Sequence, residues 1–300
     1  MTKIVKLFEK LSNHEIVILD GGMGTELQRR GVNTGLPLWS AKALLSSPQT
    51  VKEIHRDYLL AGAEIIETNT FRTNRRTLAK AGLAERDEEL TKLAVDLAKE
   101  ALAEFAAGGE ILIGGAQTTL EDCYHPELAV DEKTALNEHR RWSANLKKAG
   151  ADFIFLETFN TISEAAAALT AVSETGLKAA ISFICDDQAR LLSGEPLALA
   201  VKTIETFRPL AVLINCMLPA AITKILPVLR QATDLPIGAY GNGLGQPHND
   251  QGWIFDHSGE AVDEYIKHVK SWLDSDAQLI GGCCGTNPEY IRAITKLVKK

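Results

Sequence analysis

Short apolar runs alternate with longer amphipathic segments along the whole chain. Eight runs carry the β-rich, apolar signature, at residues 15–20, 64–68, 111–114, 153–157, 179–184, 211–215, 236–239 and 278–282. Each is continuous rather than alternating, which is the pattern of parallel strands buried on both faces. The intervening segments have helix punctuation. Ser47-Pro48 predicts an N-cap followed by proline at the first helical position, opening a helix over Pro48–Ala61. Asn287-Pro288 opens the last helix in the same way, and Gly62, Gly150 and Gly176 sit where helix C-terminal glycines belong. The first ten residues mix charged and apolar positions as an amphipathic helix does. Eight β-then-α units in 300 residues predict an α/β chain folded as a (β/α)8 TIM barrel, one domain over residues 1–300. An open, doubly wound sheet is the alternative; no Gly-x-Gly-x-x-Gly follows the first run to support it. Two long loops are expected, over 117–131 and 240–257, both after strand C-termini, where barrels place their functional face.

Composition narrows the setting. A net charge of −7 without an extended basic run argues against a nucleic-acid partner. No window approaches the roughly 18 apolar residues of a membrane span, and the N-terminal stretch lacks the apolar core of a secretory signal. A cytoplasmic protein is expected, with no feature that sets an oligomeric state. The five cysteines, Cys123, Cys185, Cys216, Cys283 and Cys284, are an odd number in a long chain. Metal binding or catalysis is therefore expected of them before disulfides.

The chemistry concentrates at the ends of the runs. Gly281-Gly282-Cys283-Cys284-Gly285-Thr286 closes the last one. In a regular strand the two cysteines point to opposite faces; both reach one point only if the backbone turns, and the flanking glycines permit that. Cys216 ends the sixth run. Three thiolates from two strand ends make a candidate zinc site of the catalytic kind, with three protein ligands and one open position. Other runs end in Asp20-Gly21-Gly22, Glu67-Thr68-Asn69, Glu157-Thr158 and Tyr240-Gly241-Asn242. In a barrel all of these converge on one mouth.

Asp20-Gly21-Gly22-Met23-Gly24-Thr25-Glu26-Leu27, Pro37-Leu38-Trp39-Ser40, Thr68-Asn69-Thr70-Phe71, Glu157-Thr158, Asn215-Cys216 and Gly281 through Thr286 together resemble the homocysteine S-methyltransferases, in order over essentially the whole chain. The resemblance implies a TIM barrel in which Cys216, Cys283 and Cys284 hold Zn2+ and homocysteine presents its thiol there. A free thiol with a pKa of about 8.5 is mostly protonated at neutral pH, and coordination to zinc removes that proton. The sulfur then attacks a methyl group on a cationic donor, S-methylmethionine, S-adenosylmethionine or betaine, and methionine results.

For the amino-acid part of homocysteine, Glu157 is the candidate partner of the ammonium group, with Asp20 nearby. The Gly21-Gly22 turn offers backbone amides to the carboxylate. Thr68 and Asn69 are candidate orienting donors, and Asn242 is a further candidate substrate contact. The segment after the third run departs from the family members that use S-methylmethionine or S-adenosylmethionine, which commonly carry a Gly-Pro-Tyr-Gly type segment there. It reads Gly114-Gly115-Ala116-Gln117-Thr118-Thr119-Leu120-Glu121-Asp122-Cys123-Tyr124. Glu121 and Asp122, with the aromatic faces of Tyr124 and Trp253, are expected to attract a cationic donor. Cys123, Cys185, His125 and His139 are expected to serve packing or surface roles, with Cys185 the substitute ligand if Cys216 fails. Two other readings stay open: a barrel isomerase or aldolase with a phosphate at the Gly-rich turn before Pro288, and a zinc barrel without catalysis.

Overall fold

The computed structural model describes residues 3–105, 110–243, 245–248, 252–255 and 261–299. A strand overlaps each of the eight apolar runs: β1 (Val17–Ile18), β2 (Ile65–Glu67), β3 (Leu112–Thr118), β4 (Phe153–Phe159), β5 (Ala179–Phe183), β6 (Val212–Asn215), β7 (Ile237–Gly241) and, after the short hairpin β8 (Gly245–His248) and β9 (Gly252–Phe255), β10 (Ala277–Gly282). All pairings in the large sheet are parallel, in the order β1-β10-β7-β6-β5-β4-β3-β2. A parallel bridge between Leu19 and Ile65 joins the two ends and completes the ring. Helices follow the strands on the outside, so the chain is a (β/α)8 barrel. Among the described residues, no helix is long and apolar enough to cross a membrane.

Two apolar layers hold the barrel. Val17, Leu19, Ile65, Phe153, Phe155, Leu213 and Leu279 form the inner cluster, alternating along their strands with residues that face the helices. The helix Lys3–Ser12 adds Leu7 and Leu11 to this inner cluster. Its lysines pair with residues at the strands' N-terminal ends, Lys10 with Glu64 (2.9 Å) and Lys3 with Asp152 (3.3 Å). Gln278 also donates to the Leu11 carbonyl at 2.7 Å. The N-terminal helix therefore plugs the bottom of the barrel and leaves the opposite mouth open. The outer layer packs Ile18, Ile66, Ile113, Ile154, Ile181 and Ile214 against Trp142, Trp272 and the other helix residues.

The helix stops stand as read: Gly62, Gly150 and Gly176 are left-handed, with φ of 109°, 86° and 75°. Asn287 caps its helix by accepting from the Glu289 amide at 2.9 Å. Ser47 does not cap; its side chain makes no bond to the helix, and proline at the next position fills the first turn without one. β3 runs on to Thr118 where the sequence suggested a stop at Gly114. The glycines there make room for packing: a Cβ on Gly114 would lie 3.1 Å from the Phe153 ring and one on Gly115 2.9 Å from Leu146. The following loop thus starts at Thr119. Of the 240–257 loop, residues 244, 249–251 and 256–257 lie outside the described residues.

Gly238 packs inside the sheet, where a Cβ would meet the Leu279 carbonyl oxygen at 2.5 Å and the Leu213 side chain at 2.7 Å. Gly238→Ala should cost about 1–3 kcal/mol by overpacking, read as a lower urea midpoint with an unchanged slope; an unaltered midpoint would show that β7 can shift to accommodate it.

Candidate active site

A cavity of about 620 Å³ opens where the strand C-termini converge. The sulfurs of Cys216, Cys283 and Cys284 lie in its wall, all within 4.8 Å of one another, the only such group of three potential metal ligands among the described residues. Hydrogen bonds between neighbouring strand ends make the turn that gathers them. The Cys283 amide donates to the Gly241 carbonyl at 2.7 Å and the Gly243 amide to the Cys284 carbonyl at 2.8 Å. Thr286 Oγ1 donates to the Cys283 carbonyl (2.7 Å) and accepts from the Gly22 amide (3.2 Å). Gly285 takes φ of 79° to let the chain turn. A side chain at Gly22 would run into the Cys283 carbonyl at 2.6 Å.

Cys216 reaches the other two sulfurs from a left-handed backbone, φ 58°, and Thr158 at the end of β4 is left-handed too, φ 61°. Both conformations cost energy for residues with a Cβ and tend to gather at functional sites. Asn215 Nδ2 braces the pair by donating to Thr158 Oγ1 at 2.8 Å. Hydrogen bonds from Cys283 and Cys284 hold the Cys216 thiol well below its ordinary pKa, while the same contacts push Cys283 and Cys284 up. The Tyr124 hydroxyl stands 3.1 Å from Cys216 Sγ. Tetrahedral metal–sulfur bonds of about 2.3 Å place sulfurs roughly 3.8 Å apart, so a group of three gathered within 4.8 Å suits one metal ion with small side-chain adjustment.

Four carboxyls line the same cavity, Asp20, Glu67, Asp122 and Glu157, and Asp20, Glu67 and Glu157 stand close enough to interact. Asp20 Oδ2 accepts from the Glu67 amide at 2.9 Å, and Glu157 Oε1 accepts from the Tyr240 hydroxyl at 3.3 Å. The Tyr240 hydroxyl also meets Ser182 Oγ at 2.5 Å. Burial pushes the Asp20 and Glu67 carboxyls up, and the neighbouring Glu157 charge adds to both. Burial raises Glu157 to about 7, against the hydrogen bonds it shares with Glu67 and Tyr240. The group is poised for a cation: a buried acidic cluster with no lysine or arginine bonded to it among the described residues.

Of the residues singled out from the sequence, Asp20, Gly21, Gly22, Thr68, Asn69, Glu157 and the three cysteines line the cavity; Asn242 does not. The Asn242 backbone amide donates to the Met217 carbonyl at 2.8 Å, and its buried side-chain Oδ1 has no partner. Gly22 spends its amide on Thr286, which leaves the Gly21 amide as the turn's available donor. Thr70 Oγ1 donates to the Ala116 carbonyl (2.6 Å), so the 2.7 Å contact with Thr68 uses the Thr68 proton. Thr68 Oγ1 also accepts from the Ala116 amide at 3.1 Å and has no proton left for a ligand. Asn69 Nδ2 donates to the Ser40 carbonyl at 3.0 Å, and its buried Oδ1 has no partner.

On the loop after β3, Asp122, Tyr124 and Trp253 from the hairpin line the cavity as expected, but Glu121 does not. It forms ion pairs with Arg76 and Lys80 outside. His139 is buried between Gln117 (2.7 Å) and Glu164 (3.1 Å) in a packing role. Cys185 is outside the sulfur group, whereas Cys123 and His125 reach the cavity wall. Glu67, Arg72, Thr158 and Tyr240 are site residues that the sequence reading did not select. Their strand-end positions were the available signal.

Glu157 binds its proton more tightly folded than unfolded, so stability must fall as pH rises between the two pKa values. With metal removed, denaturant midpoints should drop from about pH 4.5 to about pH 7, and Glu157→Gln should flatten that slope. Identical slopes would place the titration elsewhere.

Comparison with known proteins agrees with this geometry. A family model described as homocysteine S-methyltransferase matches residues 17–298. The homocysteine S-methyltransferase YbgG of Bacillus subtilis (strain 168) is 31% identical over 300 residues, covering 95% of this chain and 95% of the relative. The selenocysteine Se-methyltransferase of Brassica oleracea var. italica is 30% identical over 309 residues, covering 93% and 88%. Among solved structures, the metallated form of the Escherichia coli homocysteine methyltransferase MmuM aligns with a TM-score of 0.84 at 30% identity, over 99% of this chain and all of that one. The chain belongs to the homocysteine S-methyltransferase family.

Proposed function

We propose that the protein moves a methyl group from a cationic donor, S-methylmethionine, S-adenosylmethionine or betaine, to the sulfur of L-homocysteine, with Zn2+ held by Cys216, Cys283 and Cys284. The observation that carries this reading is the placement of three converging sulfurs and a buried acidic cluster on one cavity wall. Zinc bound there supplies a Lewis acid that keeps a substrate thiol ionised at neutral pH. Three sulfur ligands and no histidine suit an electron-rich nucleophile. A metallated relative of the same fold supports a metal in this chain.

The chain's own residues account for the rest. Glu157, Glu67 and Asp20 receive the homocysteine ammonium, which relieves their mutual repulsion and draws their pKa values down. The Gly21 amide meets the carboxylate, and Asn69 Oδ1 accepts one further hydrogen bond. Held at both ends, the amino acid presents its sulfur at the cysteine wall. A sulfur lone pair forms the new bond to the methyl carbon. The old bond breaks toward the positively charged sulfur or nitrogen of the donor, which leaves neutral, and the thiol proton has already gone to solvent. Methionine and the demethylated donor are the products. The cysteines need reduction to serve, which suits a cytosolic setting. A selenol acceptor fits the same wall, as the selenocysteine methyltransferase relative suggests.

The phosphate-barrel alternative finds little support. At the Gly-rich turn the Gly285 amide donates to Thr25 Oγ1 at 3.0 Å and the Thr286 amide to the Cys283 carbonyl at 3.2 Å. No lysine lines the cavity among the described residues.

Protein purified with reductant and without chelator should carry close to one zinc per chain, and Cys216→Ala should lose metal and methyl transfer together. A fully active, zinc-replete Cys216→Ala would refute the ligand assignment. Glu157→Ala should raise the homocysteine KM by about 10- to 100-fold, the worth of a charged hydrogen bond, with zinc content unchanged. Unaltered kinetics would remove Glu157 from the acceptor site.

A further inference from the structure

Arg72 follows β2 on the cavity wall, 8% exposed. It is the one arginine or lysine among the described residues that line the cavity. A guanidinium so far from solvent is ordinarily paired and hydrogen-bonded, because burying it bare is costly. This one has only a long ion pair and an unsatisfied Nε. Its buried Nε has no hydrogen-bond partner. Asp122 Oδ2 lies 4.0 Å from Nη2, beyond hydrogen-bond reach. The other oxygen of Asp122 accepts from the Tyr124 amide at 2.9 Å. The guanidinium carbon sits 5.6 Å from the centroid of the Phe71 ring, a contact that helps orient the planar fork. The guanidinium thus lines the cavity with its Nε unsatisfied and its nearest carboxylate beyond hydrogen-bond reach.

We infer that Arg72 anchors the carboxylate of the methyl donor, and so restricts donors to onium compounds that carry a carboxylate. The inference rests on the methyl-transfer reading above. Among cavity residues the acidic ones, Asp20, Glu67, Asp122 and Glu157, favour any cation alike and cannot separate a donor from a simple alkylated sulfonium or ammonium ion. A bidentate Arg–carboxylate pair can. The acceptor's two charged groups already have partners at the Glu157 cluster and the Gly21 amide. Arg72 lies instead beside the loop after β3, with Asp122 and Tyr124. The Tyr124 hydroxyl reaches Cys216 Sγ at 3.1 Å, so this loop joins the Arg72 side of the cavity to the sulfurs. A donor held by its carboxylate at Arg72 has its onium group on the path to the nucleophile, among the aromatic faces of Phe71, Tyr124 and Trp253.

Calorimetric titration of the reduced, zinc-supplemented protein with matched pairs tests this. The pairs are S-methylmethionine and (3-aminopropyl)dimethylsulfonium, S-adenosylmethionine and its decarboxylated form, and betaine and tetramethylammonium. In at least one pair the wild type should bind the carboxylate member about 10- to 100-fold more tightly. Arg72→Met should abolish that preference, Arg72→Lys should restore part of it, and homocysteine affinity should stay within about twofold throughout. Preserved homocysteine binding also reports that each variant is folded. The inference is overturned if no pair shows a carboxylate preference, if Arg72→Met keeps it, or if homocysteine affinity falls while donor affinity does not. Donor bound through Arg72 but no methyl passed to homocysteine would sink the methyl-transfer reading and leave the anchor standing.

Discussion

The site depends on hydrogen bonds between the ends of non-consecutive strands. β10 lies between β1 and β7, and past its last residue the pairing continues through Cys283 to Gly241, Cys284 to Gly243 and Thr286 to Gly22. Adjacent cysteines on a free strand end would diverge. Here the neighbouring strand ends dictate a turn, and that turn points both sulfurs toward Cys216. The barrel is therefore more than a platform: its closure is what makes the sulfur group. Gly22 and Gly285 are needed because the two chains pass too closely, or turn too sharply, for a side chain.

Strain and burial are spent in the same small region. Cys216 and Thr158 hold left-handed backbones, and three carboxyls are kept out of water within reach of one another. Neither arrangement favours stability by itself. Both are sustained by the surrounding layers, the inner cluster around Phe153 and Phe155 and the outer layer of isoleucines and helices. The acidic cluster carries a cost of burial and mutual repulsion that a bound cation would offset.

The cavity has two electrostatic poles. Asp20, Glu67 and Glu157 form the acidic one beside the sulfurs. Arg72 is the single arginine or lysine among the described lining residues, on the side of the loop after β3. In the proposed reaction these poles orient an amino-acid acceptor and a carboxylate-bearing donor around the nucleophile. Glu121 takes no part, because Arg76 and Lys80 hold it outside.

Eight apolar runs, helix-ending glycines and the cysteine spacing were enough to determine the barrel and the convergence of Cys216, Cys283 and Cys284, because strand periodicity and strand-end position are local properties. Asp20 and Glu157 were legible for the same reason. What the sequence could not decide was which polar groups remain available after the strands pair. Thr68 reads as a donor until its proton is seen to go to Thr70; Asn242 reads as a mouth residue but does not line the cavity. Glu67 and Arg72 stand among many charged residues, and only the tertiary structure separates a carboxyl held against Glu157 in the cavity, or a guanidinium whose Nε has no partner, from one like Glu121 neutralised by Arg76 and Lys80. Burial and partner choice come from residues distant in the chain, so they belong to the fold and not to any one stretch of it.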